Sequence, residues 1–397
     1  MSALREVSNL ANYNNDPKLR VRATNVVPPP TAGSFTFPSQ EEHSLRARRS
    51  RSPRLDEQHA SDPTYCADLI KDISEAYLEN EKAAVRRFNE GTSQYNAAAA
   101  SGALARAPAP SDIYAYYASP HYLQYQPEVN EKMRMILIDW LVDVHLKFKL
   151  HTETFFLCVN LIDRYLSVFN TKYGPTDGNN NNNFISRAKL QLVGVCAMLL
   201  ASKYEEIWPP EIKDCVHISA NTYSREEIII TERAICAALN FRLTVPTAFP
   251  FAARLWTVLE GAPGRTAIFG TAVASPMDGE ALHTLIKHAT CFYLEHSLLD
   301  YKCLQFTPSQ VANAAVYLAL ATLRLHLAAH VGSPIWIDVL QHYSTVSLAE
   351  FSGCAELILE HVHYVPTTKY QAVRRKYNSS KFGEISKMQL PNQLPVY

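Results

Sequence analysis

The chain has 397 residues, 47% of them hydrophobic and 19% charged, with 38 basic side chains balancing 38 acidic ones. That balance excludes a global field for nucleic acid or an anionic membrane, so any basic patch is local. No stretch reaches the roughly 18 uninterrupted apolar residues of a membrane span, and MSALREVSNLANYNND at the start lacks the charged opening and apolar run of a secretory signal. The reading is a soluble intracellular chain. Its eight scattered cysteines, none in a CxxC pair, are small core residues of a reducing compartment rather than metal or disulfide partners.

Residues 1–63 are polar, carry PPP at 28–30 and the run RARRSRSPR at 46–54, and cannot bury enough apolar surface to offset the entropy of ordering. They read as a disordered regulatory tail. The arginine run suits a nuclear-import signal, a phosphate-binding patch or a plain solvated charge run, and Ser52 before Pro53 is a candidate for proline-directed phosphorylation. In the next segment, 64–111, the spacing of Leu69, Ile70, Ile73 and Tyr77 predicts an amphipathic helix over 64–88. GTSQYNAAAASGALARAPAPS, at 91–111, reads as an Ala/Pro-rich linker.

From 112 onward helix follows helix, with few alternating stretches, so the body is all-α. NTKYGPTDGNNNNNFISR, at 170–187, is a flexible insertion between two helices. KLQLVGVCAMLLASKY at 189–204 and PSQVANAAVYLALATL at 308–323 each run apolar on every side after a polar start, the mark of a buried helix. Small residues such as Gly194, Ala197, Ala312, Asn313 and Ala315 let neighbours come close. Two such copies predict two helical bundles, each around one central helix.

MRMILIDWLVDVH at 133–145, LIDRYLS at 161–167, KLQLVGVCAMLLASKYEEIWPPEIKDCVHIS at 189–219 and NTYSREEIIITERAICAALNFRLTVPT at 221–247 follow one another in the order and spacing of cyclins. The chain resembles mitotic B-type cyclins, strongly over 112–247 and more loosely over 281–382, where TPSQVANAAVYLA and RRKYNSSKFGEIS carry the likeness. The resemblance implies two tandem five-helix cyclin boxes, at 112–247 and 248–366, with a tail at 367–397. It implies a regulatory subunit that activates a cyclin-dependent protein kinase as a heterodimer at the G2/M transition, in nucleus and cytoplasm. A transcription-type cyclin, or an A-type partner of a different kinase, is the alternative.

Site residues follow from the same likeness. Lys203, Tyr204, Glu232, Cys236 and Phe241 match the kinase-facing positions, and Arg134 is expected to pair with Asp163 inside the first box. Met133, Ile136, Leu137, Trp140 and Asp143, with Leu190 and Gln191, match a patch that docks RxL-type substrates or inhibitors. Ala3, Leu4 and Asn9 match the latter part of a destruction box read by the ubiquitin ligase of mitotic exit, although the leading arginine of such a box falls where this chain has Met1. No Gly-rich phosphate loop, HExxH or GxSxG is present, and His361 and His363, two residues apart, do not share a helix face. Catalysis, a cofactor and a resident metal are therefore not expected. A nucleic-acid reader would want a strongly basic face and a zinc ribbon, and the sequence has neither.

Overall fold

The computed structural model describes residues 66–101, 109–114, 116–169, 184–260, 262–270, 279–327 and 334–395. The N-terminal tail with Ala3, Leu4, Asn9, the arginine run and Ser52, and the five asparagines of the insertion, lie outside them. Every regular element among the described residues is helical. They fall into two units, one of 84–130 and 161–243, the other of 66–83, 131–160 and 244–395.

In the first unit the second half of α1 (Ala67–Ala100) packs with α2 (Pro110–Tyr114) through Phe88, Tyr95, Ile113 and Tyr114. Here the structure corrects the sequence reading: the helix runs twelve residues past 88, through what had the composition of a linker. The physical reason is twofold. Ala97–Ala100 has the highest helix propensity available, and Phe88 and Tyr95 find buried apolar partners there. Gly91 also has a purpose in this helix, since a Cβ at that position would stand 2.9 Å from Ile113 Cγ1.

The rest of the first unit is built on α5 (Leu190–Glu205), buried continuously from Leu190 to Ser202 and packed against α6 (Ile212–Ile218) and α7 (Arg225–Ala238). The second unit repeats the plan around α11 (Pro308–His326), buried from Val311 to Arg324 and packed by α8 (Ala248–Glu260), α10 (Gly279–Leu299) and α13 (Leu348–Tyr364). These are the two helices whose sequences lack a polar face. Thr307 caps α11, its Oγ1 accepting from Gln310 N while Gln310 Oε1 accepts from Thr307 N at 3.0 Å. Glu81, on the first half of α1, accepts from Ser309 N at 2.7 Å and bonds Ser309 Oγ at 2.6 Å, at the same helix start. Burial raises the Glu81 carboxyl to about 7 against these stabilising hydrogen bonds.

Two further elements complete the second unit. On α3 (Glu131–Phe148), Asp139 Oδ1 accepts from Ala372 N at 2.8 Å, which caps α14 (Ala372–Tyr377). Lys376 and Tyr377 then reach into the core, where Glu295 Oε1 accepts from Lys376 Nζ and from Tyr377 Oη, the latter at 2.7 Å. The eight cysteines are free thiols, five of them buried, in keeping with a core role.

Candidate functional site

The positions expected from the sequence to face a kinase all fall in the first unit, on α5, on α7 and on the turn after it. α5 is buried up to Ser202 and surfaces in its last turn, so Lys203 and Tyr204 emerge where the helix ends. α7 starts on a capping box: Ser224 Oγ accepts from Glu227 N at 3.2 Å, and Glu227 Oε2 accepts from Ser224 N at 2.8 Å. Ile228 and Ile235 anchor its inner face, which leaves Glu232 beside the α5 terminus. There Lys203 Nζ donates to Glu232 Oε1 in an ion pair. The lysine side chain is 44% exposed and the glutamate 14%, so the pair is screened and contributes at most about 1 kcal/mol to the fold. Its value as structure is small, so both groups can exchange partners at little cost.

α7 ends in an unusual turn. Asn240 and Phe241 both adopt left-handed backbone, at φ 50° and 56°, and Phe241 N donates back to Cys236 O at 2.8 Å. A bulky aromatic residue pays a conformational cost in that region. Here the result is a phenylalanine held 74% exposed. The turn is pinned from inside by Arg164, fully buried, whose Nη2 donates to Arg242 O and whose Nε donates to Tyr114 O at 3.4 Å. Burial lowers the Arg164 guanidinium to about 9. Cys236 is half-buried, and its thiol is pushed up first by burial and then by the Glu232 carboxylate, so it acts as apolar surface rather than as a nucleophile.

Three surface residues of this unit escaped the sequence reading. Ile207 and Trp208, in the segment after α5, are 86% and 88% exposed, and Ile230 on α7 is 65% exposed. A signal was there: in EEIWPPE, acidic residues and two prolines bracket an Ile-Trp pair, and a segment that cannot continue as helix leaves that pair outside. Large apolar groups are thus left exposed on the unit that carries the ion pair, with Ile230 two residues from Glu232 and on a different face of α7.

The remaining expected residues are placed as follows. Arg134 and Asp163 are both buried; Arg134 Nη1 donates to Leu298 O at 2.8 Å, and Asp163 Oδ1 accepts from Tyr122 Oη at 2.8 Å. Of the docking patch, Met133, Leu137 and Trp140 are buried in the second unit and Leu190 and Gln191 in the first. Ile136 and Asp143 are half-buried, and Arg375 Nη2 bonds both Asp143 oxygens, at 3.0 and 3.3 Å. His361 is buried and His363 Nε2 bonds Pro391 O at 2.8 Å, structural positions for both. Among the described residues no group of three or more His, Cys, Asp or Glu could hold a metal ion, and no helix is long and apolar enough to cross a membrane.

Comparison with known proteins bears on the whole arrangement. Residues 111–244 match the family described as "Cyclin, N-terminal domain", and residues 269–391 match "Cyclin, C-terminal domain". "G2/mitotic-specific cyclin S13-7" of Glycine max is 36% identical over 282 residues, 69% of this chain and 93% of that one. "Cyclin-B1-3" of Oryza sativa subsp. japonica is 37% identical over 298 residues, 72% of this chain and 54% of that one. "Cyclin-B1-1" of Arabidopsis thaliana is 34% identical over 299 residues, 73% and 55% respectively. The chain thus spans about half the length of the rice and Arabidopsis relatives. A viral cyclin of herpesvirus saimiri superposes with TM-score 0.45 at 19% identity, over 60% of this chain and 88% of that one, too loosely to bear on the site.

Proposed function

The chain belongs to the cyclin family, and on that premise we propose that it is the non-catalytic activating subunit of a cyclin-dependent protein kinase, acting at the G2/M transition. The observation that carries this reading is the first-unit surface on which the Lys203–Glu232 pair stands with Phe241, held out on a left-handed turn.

The mechanism follows from what a kinase needs. It is competent only when its regulatory helix delivers a glutamate to the ATP-binding lysine and its activation loop is ordered. A protein that binds this arrangement preferentially shifts the population toward it. Moving such an equilibrium from 1:99 to 99:1 takes about 5.5 kcal/mol of differential affinity. Full burial of a large apolar side chain contributes roughly 1.5 to 3 kcal/mol. Phe241 and Trp208, joined by Ile207, are enough to reach that figure if they are covered only in the active arrangement. Lys203 supplies ammonium donors for backbone carbonyls at the end of a kinase helix, and Glu232 orients it until they arrive.

On the same premise Ile136 and Asp143, with the buried residues around them, are the seat of RxL-type substrates or inhibitors. The N-terminal residues Ala3, Leu4 and Asn9 are what the mitotic-exit ubiquitin ligase reads, and the chain works in nucleus and cytoplasm. The primary test is pull-down and activation of a cyclin-dependent kinase by the wild type and by Lys203→Ala with Glu232→Ala. The double variant should lose at least tenfold in affinity, about 1.4 kcal/mol, with an unchanged circular dichroism spectrum. Equal recovery and equal activation by both forms would remove Lys203 and Glu232 from the interface.

A further inference from the structure

We infer that Arg87, Tyr116 and Arg242 form a seat for a carboxylate side chain of the bound kinase, at the edge of the surface just described; the inference rests on that reading. Arg87 Cζ lies 4.5 Å from the centroid of the Tyr116 ring and Arg242 Cζ lies 4.8 Å from it. Both arginines are exposed, while the ring between them is half-buried. Two guanidiniums gathered on one aromatic ring repel each other, and the quadrupole of the ring offsets only part of that. Such a cluster ordinarily contains a carboxylate, and among the described residues neither arginine has one within ion-pair distance. Asp112, the acidic group closest in sequence to Tyr116, is instead engaged by Asn240 Nδ2 at 2.9 Å.

Each member is fixed by the core beneath it. Arg87 stands between buried Val85 and Phe88, and Phe88 packs on Tyr114 and Tyr117, 6.0 and 5.8 Å between ring centroids, on either side of Tyr116 in the chain. The backbone of Arg242 is held by the Arg164 bond to its carbonyl, and its neighbour Phe241 is the exposed aromatic of the proposed interface. Pre-positioned guanidiniums lose little freedom on binding and fit a carboxylate with two parallel hydrogen bonds. The occupant is argued from charge and from continuity with Phe241. A chain with equal numbers of acidic and basic groups and, among the described residues, two arginines gathered on this ring does not offer the extended basic stripe that nucleic acid requires.

The test measures affinity of the full chain for a cyclin-dependent kinase by titration calorimetry at low and raised salt, roughly 50 and 300 mM, where screening lengths differ more than twofold. Wild type is compared with Arg87→Gln plus Arg242→Gln, with Tyr116→Leu, and with Lys203→Ala plus Glu232→Ala, each checked for an unchanged melting temperature. The double glutamine variant should bind about tenfold more weakly at low salt and show a flatter salt dependence. Tyr116→Leu, which keeps both charges and removes the ring that places them, should fall between the two. Wild-type affinity and salt dependence in the glutamine variant, alongside a loss in Lys203→Ala plus Glu232→Ala, would overturn the seat and leave the kinase-binding reading standing. A response to the arginine substitutions seen only with a phosphorylated kinase would overturn the carboxylate in favour of a phosphate. Failure of the wild type to bind any such kinase would overturn both.

Discussion

Among single residues, Glu81 is a buried carboxyl outside the proposed interaction surface whose protonation bears on stability. Its carboxyl sits at about 7 because burial penalises the ionised form more than the Ser309 bonds favour it. With the folded value above the unfolded 4.5, the folded state binds the proton more tightly across that interval. Stability from this group is therefore fully present below 4.5 and is lost as pH rises through about 7, with a slope of at most about 1.4 kcal/mol per pH unit. Glu81→Gln keeps an acceptor for Ser309 N and abolishes the titration. Urea denaturation at pH 5 and pH 8 should show the wild type losing stability relative to the variant by a few kcal/mol. Parallel behaviour of the two proteins would mean that the Glu81 carboxyl titrates normally.

The proposed interaction surface shows how far residue-level reading reaches. Lys203 and Glu232 were legible because their motifs fix their places at a helix end and on a helix face, and the structure joins them. The exposed Ile207, Trp208 and Ile230 were not named, since apolar residues in a sequence read as core by default, even where two prolines argue otherwise. Phe241 could be named from likeness, but its left-handed φ of 56° could not, because Asn-Phe carries none of the glycine signature of such turns.

At the scale of elements, α1 is the instructive case. Its composition from 91 to 100 suggested a linker, and a glycine in mid-helix costs about 1 kcal/mol relative to alanine. What holds the helix together is tertiary: Phe88 and Tyr95 pack with Ile113 and Tyr114, and only a residue without a Cβ lets Ile113 lie so close. Gly91→Ala should gain helix propensity and still destabilise the protein, by about 1 to 2 kcal/mol after the two effects offset. In an Ile113→Ala background, where both γ carbons that meet the new Cβ are gone, Gly91→Ala should no longer be destabilising, the mark of direct coupling between the two sites. A stabilised Gly91→Ala single variant would show that the helix gives way freely at that point. By contrast α5 and α11 were readable from sequence alone, because a helix apolar on every side has only one stable place in water.

For the whole molecule, the repeated buried helix foretold two bundles, and two units are found, one around each. Sequence patterning did not foretell how the second unit is completed. RRKYNSSKF is polar and basic and looks like solvent-facing tail, yet Lys376 and Tyr377 are buried against Glu295, whose side chain is wholly inaccessible. Stranding one member of such a buried pair costs roughly 3 to 5 kcal/mol. A chain ended after Thr368 should therefore lose cooperative melting of the second unit and bind hydrophobic dyes, and a sharp, wild-type transition in that truncation would refute the dependence. The order of synthesis makes this matter in a cell. Glu295 leaves the ribosome about eighty residues before the lysine that neutralises it and the tyrosine that hydrogen-bonds it, so on a translation clock of roughly 5 to 20 residues per second the nascent second unit waits several seconds with its carboxylate unanswered. Until that closing stretch emerges, the second unit lacks both the cation and the hydroxyl its core closes around, and a chain stopped short of Tyr377 never acquires the two together.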